Sequence, residues 1–165
     1  MRLTIDALTP ADWPRVRAIY LEGIATGQAT FETEAPTWEQ WDAGHLPACR
    51  LAARQDELLI GWAALSLVSR RPCYSGVAEV SIYVAAGHRN RGVGRALLRS
   101  LIEESERHEF WMLQAATFAE NAASLRLLTS CGFRVVGRRG RIAQLSGHWK
   151  DTVLAERRSA VVGAD

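Results

Sequence analysis

The sequence predicts an α+β fold, and three observations predict it. Early apolar runs alternate along the chain and are joined by short polar turns, the pattern of antiparallel hairpins. One β-branched run, "VAEVSIYVA", passes directly into a helical periodicity and then into another strand, the pattern of a strand–helix–strand unit. No repeat, low-complexity tract or linker divides the 165 residues, so residues 1–158 are expected to form one domain and 159–165 a flexible tail.

Taken in order, "LTIDAL" alternates as a first strand, and "TPADWPRVRAIYLEGIAT" follows as a helix with Thr9 or Asp12 as its cap. "TGQATFETEAP" is polar and turn-rich around an isolated Phe31, hence a loop. "TWEQWDAGHL" is a short helix capped by Thr37. "CRLAARQDELLIGWAALSLV" reads as two strands around a tight turn at 55–57, and "RRPCYSG" as a loop. The clearest strand lies between Gly76 and Gly87. From Gly92 to about Arg107, Val93, Leu97 and Leu101 recur at helical spacing, with Leu98 and Ile102 beside them. "WMLQAATF" is a strand. "NAASLRLLTSCGF" is a helix ending at Gly132, a residue suited to a left-handed C-cap. Two last strands surround a turn near Ser146–Gly147.

Composition narrows the function classes. With 48% hydrophobic and 23% charged residues, the chain has the balance of a folded globular domain. A net charge of +2 is too small for a nucleic-acid coat, so any basic patch is local. The opening "MRLTIDALTPADW" has no signal-peptide core. No run reaches the roughly 18 apolar residues of a membrane span. Cys49, Cys73 and Cys131 form no disulfide or zinc pattern, and the four histidines have no metal-ligand spacing. A cytoplasmic protein without metal, membrane or nucleic-acid partner is expected.

The informative anomaly is "HRNRGVGRALL", residues 88–98. Arg89, Arg91 and Arg95 crowd the positive end of the helix macrodipole, and Glu103, Glu104 and Glu106 crowd its negative end. Each exposed misplaced charge destabilises by about 0.3–1 kcal/mol. A bound phosphate would make partners of those arginines, because first-turn N–H groups point outward and glycines let a ligand approach. The bland alternative is a solvated, frayed helix start. Neither the P-loop pattern nor GxGxxG fits, since Leu97 stands where the third glycine belongs.

What remains, Arg89-x-x-Gly92-x-Gly94 between strand and helix, resembles the acyl-CoA pyrophosphate loop of the GNAT superfamily of N-acetyltransferases. Asn121-Ala-Ala-Ser124…Cys131-Gly132-Phe133 is similar to the helix that flanks the CoA arm there. "GIATGQATFET", "CYSGVAEVSIYVA", "LQAATFAENAASLRL" and "GHWKDTVLAERR" resemble successive blocks of the phosphinothricin and methionine-sulfoximine N-acetyltransferases. The resemblance implies a central mixed, mostly antiparallel sheet flanked by helices, with a CoA cleft beside the central strand. It implies that Asn90, Arg91, Gly92, Val93, Gly94 and Arg95 hold the pyrophosphate of acetyl-CoA. By the same resemblance, Ile82, Tyr83 and Val84 pair with the pantetheine arm, Asn121 contacts that arm, and Ser130 touches the cofactor further along. A homodimer, with Trp149 near the subunit contact, is also implied.

Acetyl transfer requires a neutral amine, and an amine near its solution pKa is mostly protonated at neutral pH. Glu79 shares a strand face with Ser81 and Tyr83, and it reads from the residues alone as either a solvent-facing carboxylate or a base. The resemblance assigns it the base. Phe31, Arg71 and Tyr74 match acceptor-lining positions, an arginine suiting a substrate carboxylate through its planar fork. Arg70 is an equally placed competitor, and Phe31 reads equally well as core. Leu128 departs from the family, which carries His or Tyr there near the sulfur. Thiolates leave more readily than alkoxides, so activity is expected to survive with water or Tyr83 in that role. The expected activity is acetylation of a small amino acid or analogue by direct attack in a ternary complex. The alternatives are a cofactor-binding sensor without turnover, or acetylation of a peptide or other amine.

Overall fold

Two tight turns pin the antiparallel halves of the sheet in the computed structural model, which describes residues 2–165. Asp56 and Glu57 both take positive φ, 47° and 74°, the combination a two-residue hairpin needs. They join β2 (Leu51–Gln55) to β3 (Leu58–Leu67). Ser146 and Gly147, at φ 50° and 80°, do the same for β6 (Arg134–Leu145) and β7 (His148–Arg158). With β1 (Leu3–Ala7), β4 (Val77–Val84) and β5 (Met112–Phe118), these form one seven-stranded sheet, ordered β1-β2-β3-β4-β5-β7-β6. Every neighbouring pair is antiparallel except β4 and β5. The mixed, mostly antiparallel sheet is therefore the architecture expected.

The parallel pair requires a crossover, and α3 (Val93–Arg107) supplies it. Its predicted apolar face is buried: Val93, Leu97, Leu98, Leu101 and Ile102 pack on one side of the sheet against Ala63, Leu65 and Ala78. α4 (Ala122–Ser130) lies over the same side. It ends at Gly132, whose φ of 87° is the left-handed cap expected there. On the opposite side, α1 (Trp13–Ala25) and α2 (Trp38–Gly44) cover a second core around Val16, Ile19, Trp41 and Trp62. Trp13, Trp38, Trp41 and Trp62 thus belong to packing, whereas Trp149 is half exposed beneath the Arg141 guanidinium.

Capping follows the sequence with one change. Thr37 accepts from the Gln40 N–H at 3.2 Å and closes a capping box on α2. Of the two caps expected for α1, Asp12 takes the N-cap position without a side-chain cap bond, and Thr9 instead caps a single 3-10 turn at Pro10–Asp12 just before it. Asp12 accepts two hydrogen bonds from Arg54, of 2.9 and 3.0 Å, tying that turn to β2. Burial pushes the Asp12 carboxyl up, but Arg54 and the Thr9 N–H outweigh it and hold the group below the ordinary carboxylate range.

Candidate active site

The parallel pairing of β4 and β5 is short. Val77, Ala78 and Glu79 pair with Met112, Leu113 and Gln114, and then the strands part. β4 continues to Val84 with β3 on its other edge. From Val80 onward, its β5-facing N–H and C=O groups have no strand partner among the described residues. Unpaired backbone groups demand other partners, which makes this edge a template for an extended ligand. Glu79 is the last paired residue and sits at the apex of the fork.

Two adjoining cavities fill that fork. The first, about 500 Å³, runs from Ile82, Tyr83 and Val84 past Asn121 to the mouth of α3, where Asn90, Gly92, Gly94 and Arg95 line it. The second, about 390 Å³, lies at the apex with Phe31, Glu79, Ser81, Phe118 and Leu128 in its wall. Ile82, Tyr83, Asn121, Ser124 and Leu127 border both, so they are two ends of one cleft.

The α3 mouth has the features of an anion site. Gly92 caps the helix at φ 82°, a conformation that glycine adopts without strain. Asn90 also takes positive φ, 61°. No acidic residue stands in the first turn. Among the described residues Arg89, Arg91 and Arg95 form no ion pair, and the one hydrogen bond from their side chains runs from Arg89 Nε to the Val84 carbonyl at 3.2 Å. A Cβ on Gly94 would come within 3.3 Å of Leu127 Cδ2, so this glycine also lets α4 approach.

Other predicted residues divide. Asn121 borders the cleft while its amide does structural duty: Oδ1 accepts from the Ser124 N–H and Nδ2 donates to the Gln28 carbonyl, both at 3.1 Å. Val93 turns its side chain into the core, leaving only its first-turn N–H toward the mouth. Arg91 is exposed beside the cavity wall. Ser130 sits exposed at the far end of α4, its hydroxyl donated to the Leu127 carbonyl at 2.8 Å. Phe31 packs edge-to-face on Phe118 at 4.8 Å and reaches the apex. Arg71 and Tyr74 stack on one another on a 3-10 turn outside that wall, Tyr74 bordering a separate groove with Val68 and Cys73.

Electrostatics distinguish the two polar groups at the apex. Burial raises Glu79 above the ordinary carboxylate value, opposed by the charge of Arg139. Tyr83 is raised far more, by burial first and by the neighbouring Tyr20 hydroxyl second, so it keeps its proton. Leu128 is buried, 5% exposed, and brings no titrating group. Sequence reasoning missed Arg139, Glu32 and Thr152. The last two line the apex cavity directly, but neither carries a motif, and only pairing across three strands brings Arg139 near.

Known proteins share both the pattern and the shape. The family described as "Acetyltransferase (GNAT) family" matches residues 13–133. The phosphinothricin N-acetyltransferase of Alcaligenes faecalis is 34% identical over 164 residues, covering 93% of this chain and 81% of that protein. The L-methionine sulfoximine/L-methionine sulfone acetyltransferase of Pseudomonas paraeruginosa is 27% identical, covering 88% of each chain. A phosphinothricin acetyltransferase from Sinorhizobium meliloti, solved in complex with acetyl-CoA, superposes with a TM-score of 0.89 at 25% identity, covering 100% of this chain and 92% of that one. By sequence and by overall shape alike, this chain belongs to the acetyltransferase (GNAT) family.

Proposed function

We propose that this protein transfers the acetyl group of acetyl-CoA to the α-amine of a small amino acid or analogue, of the phosphinothricin or methionine sulfoximine kind. The observation that carries the reading is the fork between β4 and β5, with a carboxylate at its apex and a glycine-capped helix at its open end. An elongated cofactor with a phosphate at one end and a reactive group at the other suits that layout. The donor supplies an activated thioester. The α3 mouth binds its pyrophosphate through N–H groups and arginine charge, and the free edge of β4 binds its arm.

At the apex, Glu79 takes the amine proton, directly or through water, as the amine nitrogen bonds to the acetyl carbon and the carbon–sulfur bond breaks. The departing sulfur needs little help, and Tyr83, which holds its proton, lies at the junction to supply it. Among the described residues, none lining the apex is a cysteine or a serine paired with a histidine base, which supports direct attack with both substrates bound. The apex cavity, about 390 Å³, suits an acceptor of amino-acid size. The enzyme acts as a cytoplasmic homodimer in this account, its partner covering the exposed Val135, Val136, Ile142 and Trp149 of the β6–β7 hairpin.

The test is thiol release from acetyl-CoA with free L-amino acids, L-methionine sulfone and phosphinothricin as acceptors. Steady turnover with at least one small α-amino acid is expected. Binding of acetyl-CoA with no turnover on any of them would favour the sensor alternative.

A further inference from the structure

The acceptor end has a carboxylate for the amine, but the arginine expected for the substrate carboxylate, Arg71, stacks on Tyr74 outside the wall. Strand register identifies another. Glu79 pairs with Gln114 on β5. Alternation puts Gln114, Ala116 and Phe118 on one sheet face, and Phe118 pairs with Thr152 on β7. Thr152 in turn pairs with Arg139 on the edge strand β6. Paired residues share a face, so Arg139 stands on the face of Glu79, directly opposite a residue that lines the apex cavity.

Immediately after Arg139 the β6 register slips: its next partner is Ala143 with Lys150, so β6 carries two more residues than β7 over that span. Such bulges bend a strand and re-aim the side chains beside them. Asp151 holds this one, accepting from the Arg141 N–H at 2.8 Å and from the Arg138 guanidinium. The neighbouring cations are committed: Arg138 to Asp151, and Lys150 to Glu120, each at 2.6 Å. Arg139 makes no hydrogen bond or ion pair among the described residues, yet its charge acts on Glu79. An uncommitted guanidinium on the same sheet face as the proton acceptor, opposite a residue of the cavity wall, offers a cation for the carboxylate that an amino acid carries one carbon from its amine.

We propose that Arg139, set by the β6 bulge opposite Thr152, anchors the carboxylate of an amino-acid acceptor and thereby turns its α-amine toward Glu79. This rests on the acetyl-transfer reading above and names the group that makes the site select α-amino acids. Arg139 is a specificity-determining residue in this account, distinct from the base.

The experiment compares L-methionine sulfone with its carboxamide in wild type, Arg139→Gln and Arg139→Lys, following thiol release. Wild type should favour the acid, and Arg139→Gln should lose about 30- to 100-fold in kcat/KM on it, mainly through KM, the scale of a charge-assisted hydrogen bond. The carboxamide should change by less than about threefold, Arg139→Lys should recover part of the loss, and the KM for acetyl-CoA should stay constant. Equal loss on both acceptors, or no loss on the acid, would overturn the anchor while leaving acetyl transfer intact. Wild type releasing no thiol with these compounds or with any other small α-amino acid would instead overturn the underlying reading and this inference with it.

Discussion

Burial acts on two groups at the apex of the cleft and fits them for opposite tasks. Glu79 is raised above the ordinary carboxylate value, which makes its ionised form a stronger base than a free carboxylate. Tyr83 is raised further still, so at neutral pH it keeps its proton. Leu128 removes the other ring that the family resemblance would place near the sulfur, and this puts the leaving-group task on Tyr83 or water. Tyr83→Phe should therefore lower kcat, by no more than about 10²-fold because a thiolate leaves readily, with the KM for acetyl-CoA unchanged. An unaltered kcat would assign the proton to water. Stability should fall by only about 1 kcal/mol, the hydroxyl having Tyr20 and Thr30 as partners.

At the scale of elements, the fork depends on where β4 and β5 stop pairing, and a glycine sets its closed end. Gly76 is buried, and its carbonyl accepts from both the Trp111 and Met112 N–H groups. A Cβ there would lie 2.1 Å from Trp111 Cε3, an overlap that is relieved only by moving the indole. Gly76→Ala should cost about 1–3 kcal/mol of stability in urea denaturation, and turnover should fall with it because the strand carrying Glu79 starts there. An unchanged midpoint would show that Trp111 is free to shift and that the junction is not under packing constraint. α3 shows the opposite economy. Its first turn lacks any acidic residue and carries Arg95, with Arg89 and Arg91 just before it and none of the three in an ion pair among the described residues, a local defect expected where a ligand completes the structure. Its last turn is repaired internally, Arg107 bonding Glu104 and reaching Glu103.

Across the whole molecule, what the sequence made legible was whatever short-range chemistry dictates. The hairpin turns, the Thr37 cap, the Gly132 cap and the buried stripe of α3 each follow from a few adjacent residues, and all stand where expected. The α3 mouth was legible for the same reason: its charges contradict the helix dipole within one turn. At the acceptor end Glu79 and Phe31 were legible, and the rest of the wall was not. Arg139 shares a face with Glu79 only through the stacked registers of β5, β7 and β6, and the bulge that follows it on β6 answers to no local propensity. Arg71 carried a local signal, yet the 3-10 turn at Pro72–Tyr74 keeps it on the Tyr74 ring. In the proposed reaction the two ends of the cleft act together, with the cofactor held at α3 and the proton removed at Glu79. Glu79→Gln, followed by the pH dependence of kcat/KM and by acetyl-CoA titration calorimetry, tests both together. Wild-type activity should rise with pH through a limb above the ordinary carboxylate value, because below it Glu79 is protonated and accepts nothing. The variant should lose about 10²-fold or more, lose that limb, and bind acetyl-CoA as tightly as wild type. Turnover and limb both preserved in Glu79→Gln would contradict the account.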